Sequence, residues 1–349
     1  MKGQVEKDTI ESAYYIGFKL HKGFIIPHHK DLKPISSSYP WGLQFEASRM
    51  VNSYESWSNC DCYSRIGLSF IYFDYMNPDV LGHSYNLVFF GEPYISFKKK
   101  LKISLRGGIG ITYLDQVYDE ITNPENVFYS FPLSFLLALD IIINYQLSDK
   151  INLNTALNYN HISNAGASIP NKGINFPTFS LGADYIINPF NMDPKLKSNL
   201  LRSHGVIKYA RLFGSLRVVP EDGEYKKSNN LMTGIAAGLY GPITNINAWS
   251  AGFEFSYDGS FNELNKRSGY EYAPFVLSLL AGHAFVFGNI SITQQMAWYT
   301  WRPFPANDHT FFQRYGLFYQ IGEIFNIGGT LKAHGHVAEH MDVRFGVLF

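Results

Sequence analysis

Residues 101–113 read LKISLRGGIGITY, and this stretch decides the fold class. Its odd positions are nearly all apolar, whereas the polar side chains on the even positions are Lys102, Ser104, Arg106 and Thr112. Successive side chains of a β-strand point to opposite faces, so the stretch predicts a strand with one apolar and one polar face. The same alternation recurs over residues 249–258 and 341–349.

Segments of this kind predict about sixteen strands, with fourteen as the alternative number. Tight turns follow the fourth, sixth, tenth, twelfth and fourteenth segments, and longer polar loops follow most of the odd-numbered ones. Many segments reach the roughly 9–11 residues that cross a bilayer at a tilt, whereas the strands of a soluble β-sandwich average about 5–6 residues. The predicted fold is therefore all-β: a single transmembrane antiparallel β-barrel formed by residues 1–349.

The composition excludes two other classes of protein. The 349 residues include 29 Lys and Arg against 29 Asp and Glu, so the net charge gives no basic footprint for nucleic acid. No stretch approaches the roughly 18 uninterrupted apolar residues that a membrane-spanning helix needs. A nucleic-acid-binding protein and a helical membrane protein are therefore not expected.

Three polar residues are predicted on the lipid-facing side of the barrel. The outward positions of one strand are marked by Ile151, Leu153, Leu157 and Tyr159, and those of the next by Phe179, Leu181 and Tyr185. The same parity turns His161, Ser163 and Asn175 outward, and Asn175 is expected beside His161 across the hairpin. Polar groups that face hydrocarbon are costly unless they are paired, which makes this cluster a candidate functional site.

The sequence around this cluster resembles the lipid A 3-O-deacylase (PagL-like) and acyloxyacyl hydrolase family of outer-membrane esterases. The resemblance is carried by residues 161–166 (HISNAG) and 170–174 (PNKGI). It is strong over 151–188 and extends over 14–188, whereas residues 200–349 add strands without a recognised family. Members are eight-stranded barrels that hydrolyse the ester-linked acyl chain at the 3-position of lipid A.

The resemblance implies a nucleophile, Ser163, and a general base, His161. The glutamate that orients the histidine in the family corresponds to Asn175, twelve residues after the serine. An asparagine accepts a hydrogen bond from histidine and holds its tautomer, but it cannot stabilise the imidazolium by charge. The backbone N–H groups expected to bind the oxyanion are those of Asn164, Ala165 and Gly166.

No acidic residue lies between Asp149 and Asp184, and parity turns Asp184 into the lumen. Activity is therefore expected to be reduced or lost, or an acid reaches the site from a neighbouring loop. The candidates for that acid are Asp119, Glu120 and Glu125.

The function predicted is an outer-membrane esterase that acts on lipid A or a related outer-leaflet glycolipid without a cofactor. The alternative is a non-catalytic outer-membrane barrel, either a channel or a structural partner in an envelope complex, with a degenerate motif. An acid near His161 and an open lipid-facing groove favour the enzyme, whereas a wide unobstructed lumen with His161 and Ser163 pointing apart favours the channel. Protein partners are left open.

Other candidate residues carry weaker signals. His334, His336 and His340 resemble a metal cluster, but ordinary polar filling of the lumen is the favoured interpretation, and no metal site is predicted. The pair at residues 28–29 has no third ligand at a useful spacing. The two cysteines, Cys60 and Cys62, are expected to be either free or joined in a small loop.

Overall fold

The computed structural model describes residues 10–97, 100–164, 168–197, 205–269, 271, 273–302, 310–335 and 337–349. The first eight strands are β1 Glu11–Gly23, β2 Trp41–Asn52, β3 Ser64–Asp74, β4 His83–Ser96, β5 Leu101–Leu114, β6 Leu133–Ser148, β7 Ile151–Ser163 and β8 Ile174–Ile187. The next eight are β9 Ile207–Val219, β10 Ser228–Pro242, β11 Asn247–Asp258, β12 Phe275–Phe287, β13 Ile290–Trp301, β14 Phe311–Ile321, β15 Phe325–His334 and β16 Val337–Leu348. The all-β class and the strand number predicted from the sequence are confirmed in these residues.

The strands close into two barrels of eight, and the prediction of one barrel over residues 1–349 is wrong. In the first barrel β1 pairs with β8, and in the second β9 pairs with β16. In each barrel the first and last strands of the sheet are hydrogen-bonded to each other. Neither sheet therefore has an unpaired edge strand. Alternation along a strand is the same in one large barrel or two small ones, and therefore did not distinguish them.

The outer face of the first barrel is apolar, as β6 illustrates. Its outward residues are Leu133, Phe135, Leu137, Leu139, Ile141, Ile143, Tyr145 and Leu147, each between 42% and 64% exposed. An apolar band of aliphatic and aromatic residues is the lipid-facing surface of transmembrane barrels.

The lumen of the first barrel is filled by charged side chains from different strands. Arg106 on β5 lies 2.7 Å from Glu46 on β2 and 2.6 Å from Glu92 on β4. Arg65 on β3 contacts Asp184 on β8 at 3.0 Å. The interior of an eight-stranded barrel is just wide enough for side chains to fill, so pairs from opposite strands meet across it.

The second barrel has a similar ionic centre. Glu254 on β11 lies 2.6 Å from both Arg314 on β14 and Arg344 on β16, and Arg314 also contacts Asp342 at 2.9 Å. All four residues are at most 5% exposed. These contacts fill the lumen with charged residues at inward positions, which the sequence pattern predicted to be polar.

Two short α-helices, α1 (Tyr54–Ser58) and α2 (Ser260–Ser268), follow β2 and β11. None of the helices in the described residues is both long and apolar enough to cross a membrane. Cys60 and Cys62, which lie between α1 and β3, are joined by a disulfide.

Candidate active site

The candidate residues lie where β7 ends and β8 begins. In the antiparallel register, His161 is opposite Asn175 on β8 and opposite Leu137 on β6. Ser163 is opposite Phe135 on β6. Along β7, buried residues alternate with exposed or half-buried ones, and His161 and Ser163 fall on the outward positions with Leu157. The predicted outward face and cross-hairpin pairing are thus present in the structure.

A short hydrogen bond joins the histidine and the asparagine. Nδ1 of His161 lies 2.6 Å from Oδ1 of Asn175, and the Tyr159 hydroxyl donates to the same oxygen over 3.0 Å. When the amide oxygen accepts, Nδ1 carries the proton and Nε2 of His161 is left with its lone pair. Among the described residues, His161 makes no hydrogen bond to Ser163. In enzymes without bound substrate, the hydrogen bond between a general base and its nucleophile is often long.

The loop between β7 and β8 packs closely against the imidazole. Gly173 has a left-handed backbone, with φ of +67°, and its N–H donates to the carbonyl of Phe128 over 2.8 Å. A Cβ atom at this position would lie 2.8 Å from Cε1 of His161, which is closer than carbon atoms pack. Glycine is therefore required both by the turn and by the position of the histidine ring.

The first long loop contributes a residue that the sequence did not predict for this site. The N–H of Ile26 donates to the carbonyl of Asn175 over 2.8 Å, which extends the pairing of β8 beyond β1. Two residues further on, Nδ1 of His28 lies 3.1 Å from Nδ2 of Asn175. Nε2 of His28 lies 2.8 Å from the carbonyl oxygen of Lys172. A contact between residues 147 positions apart leaves no signal in strand alternation.

The acids proposed to reach His161 from a loop do not contact it. Asp119 is exposed and bonded within its own loop, where the N–H and hydroxyl of Thr122 hold the pKa of Asp119 below its usual value. Glu120 and Glu125 are exposed. The hydrogen bond described for the His161 ring goes to Asn175, and no described carboxylate contacts the ring. A loop acid in place of the family glutamate is therefore not present in this arrangement.

The predicted oxyanion donors are only partly described. The N–H of Asn164 donates to Oδ1 of Asn171 over 3.1 Å, and its side-chain amide donates to the carbonyl of Ser168 over 3.0 Å. To bind an oxyanion, the backbone N–H of Asn164 would have to give up its bond to Asn171. Ala165 and Gly166 lie outside the described residues.

An apolar groove lies on the outer face near this cluster. It has a volume of about 670 Å³ and crosses from β5 to β8 and the end of β1. Its lining includes the apolar side chains of Leu105, Leu139, Ile141, Leu157, Phe179 and Phe24. Tyr159 also lines the groove while its hydroxyl donates to Asn175, so the groove and the polar cluster are directly joined.

His334 and His340 of the second barrel both lie close to one carboxylate, that of Glu339. His334 lies 3.4 Å from Glu339, and His340 is 5% exposed and lies 3.5 Å from the same carboxylate. Within the described residues, no group of three or more His, Cys, Asp or Glu side chains is arranged to hold a metal ion. His336 is outside those residues.

Comparisons with solved structures give distant matches. The outer membrane enzyme PagL is 15% identical, with 48% of this chain and 97% of that chain covered and a TM-score of 0.36. Neisserial surface protein A is 10% identical, with coverages of 50% and 97% and the same TM-score of 0.36. The siderophore receptor PirA from Pseudomonas aeruginosa is 9% identical, with coverages of 98% and 80% and a TM-score of 0.20. No curated protein matches the chain.

Two family models match, one in each barrel. Residues 41–184 match lipid A 3-O-deacylase (PagL). Residues 211–349 match the C-terminal domain of acyloxyacyl hydrolase, so the expectation that residues 200–349 lack a recognised family is wrong. The first barrel is therefore similar to the lipid A 3-O-deacylase family and the second to the C-terminal domain of acyloxyacyl hydrolase, and both of these families imply a carboxylic ester hydrolase activity.

Proposed function

We propose that the first barrel is an outer-membrane esterase that removes an ester-linked acyl chain from lipid A or a related outer-leaflet glycolipid. Ser163 is the nucleophile, His161 the general base and Asn175 the residue that orients the base. The observation that carries this proposal is the 2.6 Å contact between His161 and Asn175, two residues from an outward-facing serine. This contact leaves Nε2 of His161 unprotonated, so Nε2 is the nitrogen that accepts the proton of the serine hydroxyl.

The reaction proceeds through an acyl-enzyme. Nε2 of His161 takes the proton of the Ser163 hydroxyl as its oxygen attacks the acyl carbonyl. When the tetrahedral intermediate collapses, the ester C–O bond breaks and the imidazolium gives the proton to the departing sugar oxygen. Water, activated by the same histidine, then hydrolyses the acyl-serine. The products are a free fatty acid and a lipid with one additional hydroxyl group.

The position of the site supports a lipid substrate. His161 and Ser163 are on the outward face of β7, so a lipid reaches them by lateral diffusion within the leaflet. The groove beside Tyr159 offers an apolar surface of about 670 Å³ for the acyl chain. Because the acyl chain comes from among lipid tails and not from water, the groove positions it by packing and adds little hydrophobic free energy.

The alternative role as a channel receives less support. The lumen of each barrel is crossed by buried ion pairs, among them Arg106 with Glu46 and Arg314 with Glu254. A wide lumen would require one barrel of about sixteen strands, whereas each barrel has eight strands.

A long-chain alkyl fluorophosphonate tests the nucleophile directly. We expect the purified full-length chain in detergent micelles to gain one phosphonyl group, located on the peptide that contains Ser163. Ser163→Ala should abolish this labelling, and His161→Gln should slow it strongly. Labelling of the Ser163→Ala variant at the wild-type rate would rule out Ser163 as the nucleophile.

A further inference from the structure

The contact between His28 and Asn175 decides which way the asparagine amide faces. We propose that His28 is a positioning residue, which holds the amide oxygen of Asn175 against His161. The inference rests on the proposed function and adds to it a residue from the loop between β1 and β2.

An asparagine creates a problem that a carboxylate does not have. The two oxygens of a carboxylate are equivalent acceptors, whereas an amide presents oxygen on one side and NH₂ on the other. With the oxygen toward His161, Nδ1 of the ring is protonated and Nε2 is basic. With the NH₂ toward His161, Nδ1 must accept, Nε2 carries the proton, and the ring cannot take a proton from Ser163.

The two partners of the amide oxygen do not by themselves choose between these orientations. The Tyr159 hydroxyl lies 3.0 Å from Oδ1 of Asn175, but a hydroxyl rotates and either donates or accepts. The neutral ring of His161 adopts either tautomer to suit its neighbour. A third partner with a fixed role is therefore needed.

His28 has such a role because a backbone carbonyl fixes its tautomer. The oxygen of Lys172, 2.8 Å from Nε2 of His28, only accepts, so Nε2 must donate. In the neutral ring Nδ1 is then the acceptor, and it lies 3.1 Å from Nδ2 of Asn175. The NH₂ group is thereby held toward His28, and the oxygen is left toward His161.

The backbone holds His28 in place independently of its ring. The N–H of Phe24 donates to the carbonyl of Pro177 over 3.2 Å, and the N–H of Ile26 donates to the carbonyl of Asn175 over 2.8 Å. The loop after β1 therefore continues to pair with β8 as far as Ile26, two residues before His28. Replacement of the His28 side chain is expected to leave this pairing intact.

The tautomer of His161 provides a test that does not depend on catalysis. The full-length chain is labelled with ¹⁵N-histidine in detergent micelles, and the His161 signals are identified by their loss in His161→Gln. At pH 8 we expect the wild type to carry the proton on Nδ1. His28→Leu should raise the population protonated on Nε2, and His28→Gln, which keeps one acceptor and one donor, should restore the wild-type spectrum.

Two controls separate positioning from a general disturbance of the loop. Asn175→Asp removes the distinction between oxygen and NH₂, so His28→Leu added to Asn175→Asp should leave the His161 tautomer unchanged. His29→Leu alters the adjacent residue, whose ring lies 3.2 Å from the Lys172 ammonium, and should also leave it unchanged.

The rate of ester hydrolysis provides a second test. With a micellar long-chain ester, His28→Leu should lower kcat by roughly two- to tenfold with little change in KM, because only the reactive fraction of the enzyme changes. An unchanged His161 tautomer in His28→Leu would overturn the positioning role, whatever the activity. A wild type that fails to turn over, with the tautomer shift present, would instead refute the proposed function alone.

Discussion

Asn175 and His161 face each other across the β7–β8 hairpin, 2.6 Å apart, on the lipid-facing side of an eight-stranded barrel. The asparagine stands where the related family has a glutamate. It supplies the acceptor that fixes the histidine tautomer, but it carries no charge to stabilise the imidazolium that forms during the reaction. The proposed site thus has an uncharged residue at the position where the family has a charged one.

Restoring a carboxylate should therefore accelerate the reaction. We expect Asn175→Asp, which keeps the side-chain size, to raise kcat by about tenfold or more, because an opposite charge stabilises the imidazolium. Asn175→Leu should lower kcat by a similar factor or more. Initial rates with a micellar long-chain ester measure both changes. A faster Asn175→Leu variant would contradict the orienting role.

Gly173 should be required for the position of His161. Gly173→Ala places a Cβ atom 2.8 Å from Cε1 of the ring and adds a left-handed penalty of roughly 1–2 kcal/mol. We expect ester hydrolysis to fall by at least about tenfold because the ring is displaced, a magnitude typical of misplaced catalytic groups. Folding is monitored by far-UV circular dichroism.

The matched control is Gly205→Ala. Gly205 has φ of +65°, and a Cβ atom there meets nothing within 4 Å. It carries the same backbone penalty without a contact to the site, so activity should be retained. Equal losses in the two variants would show that backbone strain, and not the histidine ring, accounts for the effect.

The sequence predicted the local arrangement of this site but not its surroundings. Parity along β7 and β8 places His161, Ser163 and Asn175 on one face, because alternation is a local property of a strand. The role of His28 depends on a loop that returns to β8, and the bond that occupies the N–H of Asn164 depends on Asn171. Side-chain contacts of this kind are set by tertiary packing.

The number of barrels could not be predicted from the alternation pattern either. Strands of the same length and parity fit one large barrel or two small ones, and the difference lies in which outer strands pair. The inward charges, Arg106 and Glu46 among them, gave no cue, because charged side chains also line a wide water-filled lumen. Their partners are not evident from sequence spacing.

The groove should select the length of the acyl chain. Leu157→Trp places a larger side chain in the lining of the groove and fills part of its space. We expect this variant to shift the substrate preference toward shorter acyl esters. Leu153 is on the same face of β7, 44% exposed, and is not part of the groove lining. Leu153→Trp should therefore leave the preference unchanged when a series of esters is compared. An equal shift in both variants would contradict an acyl-binding groove.

The lumenal ion pairs should contribute to the stability of the first barrel. Arg106→Met leaves Glu46 and Glu92 buried without this partner. Loss of one member of a buried pair typically costs about 3–5 kcal/mol in the free energy of unfolding. Urea unfolding in lipid vesicles, followed by tryptophan fluorescence, measures the change. A loss below about 1 kcal/mol would show that the network is not important for stability.

The most direct test of the account is mass spectrometry of lipid A from cells that express the full chain with an export signal, compared with cells that express Ser163→Ala. Both proteins must be folded in the outer membrane. The account predicts that lipid A loses one ester-linked acyl chain in the wild-type cells only. Identical lipid A spectra from the two strains would contradict deacylation of lipid A by this site.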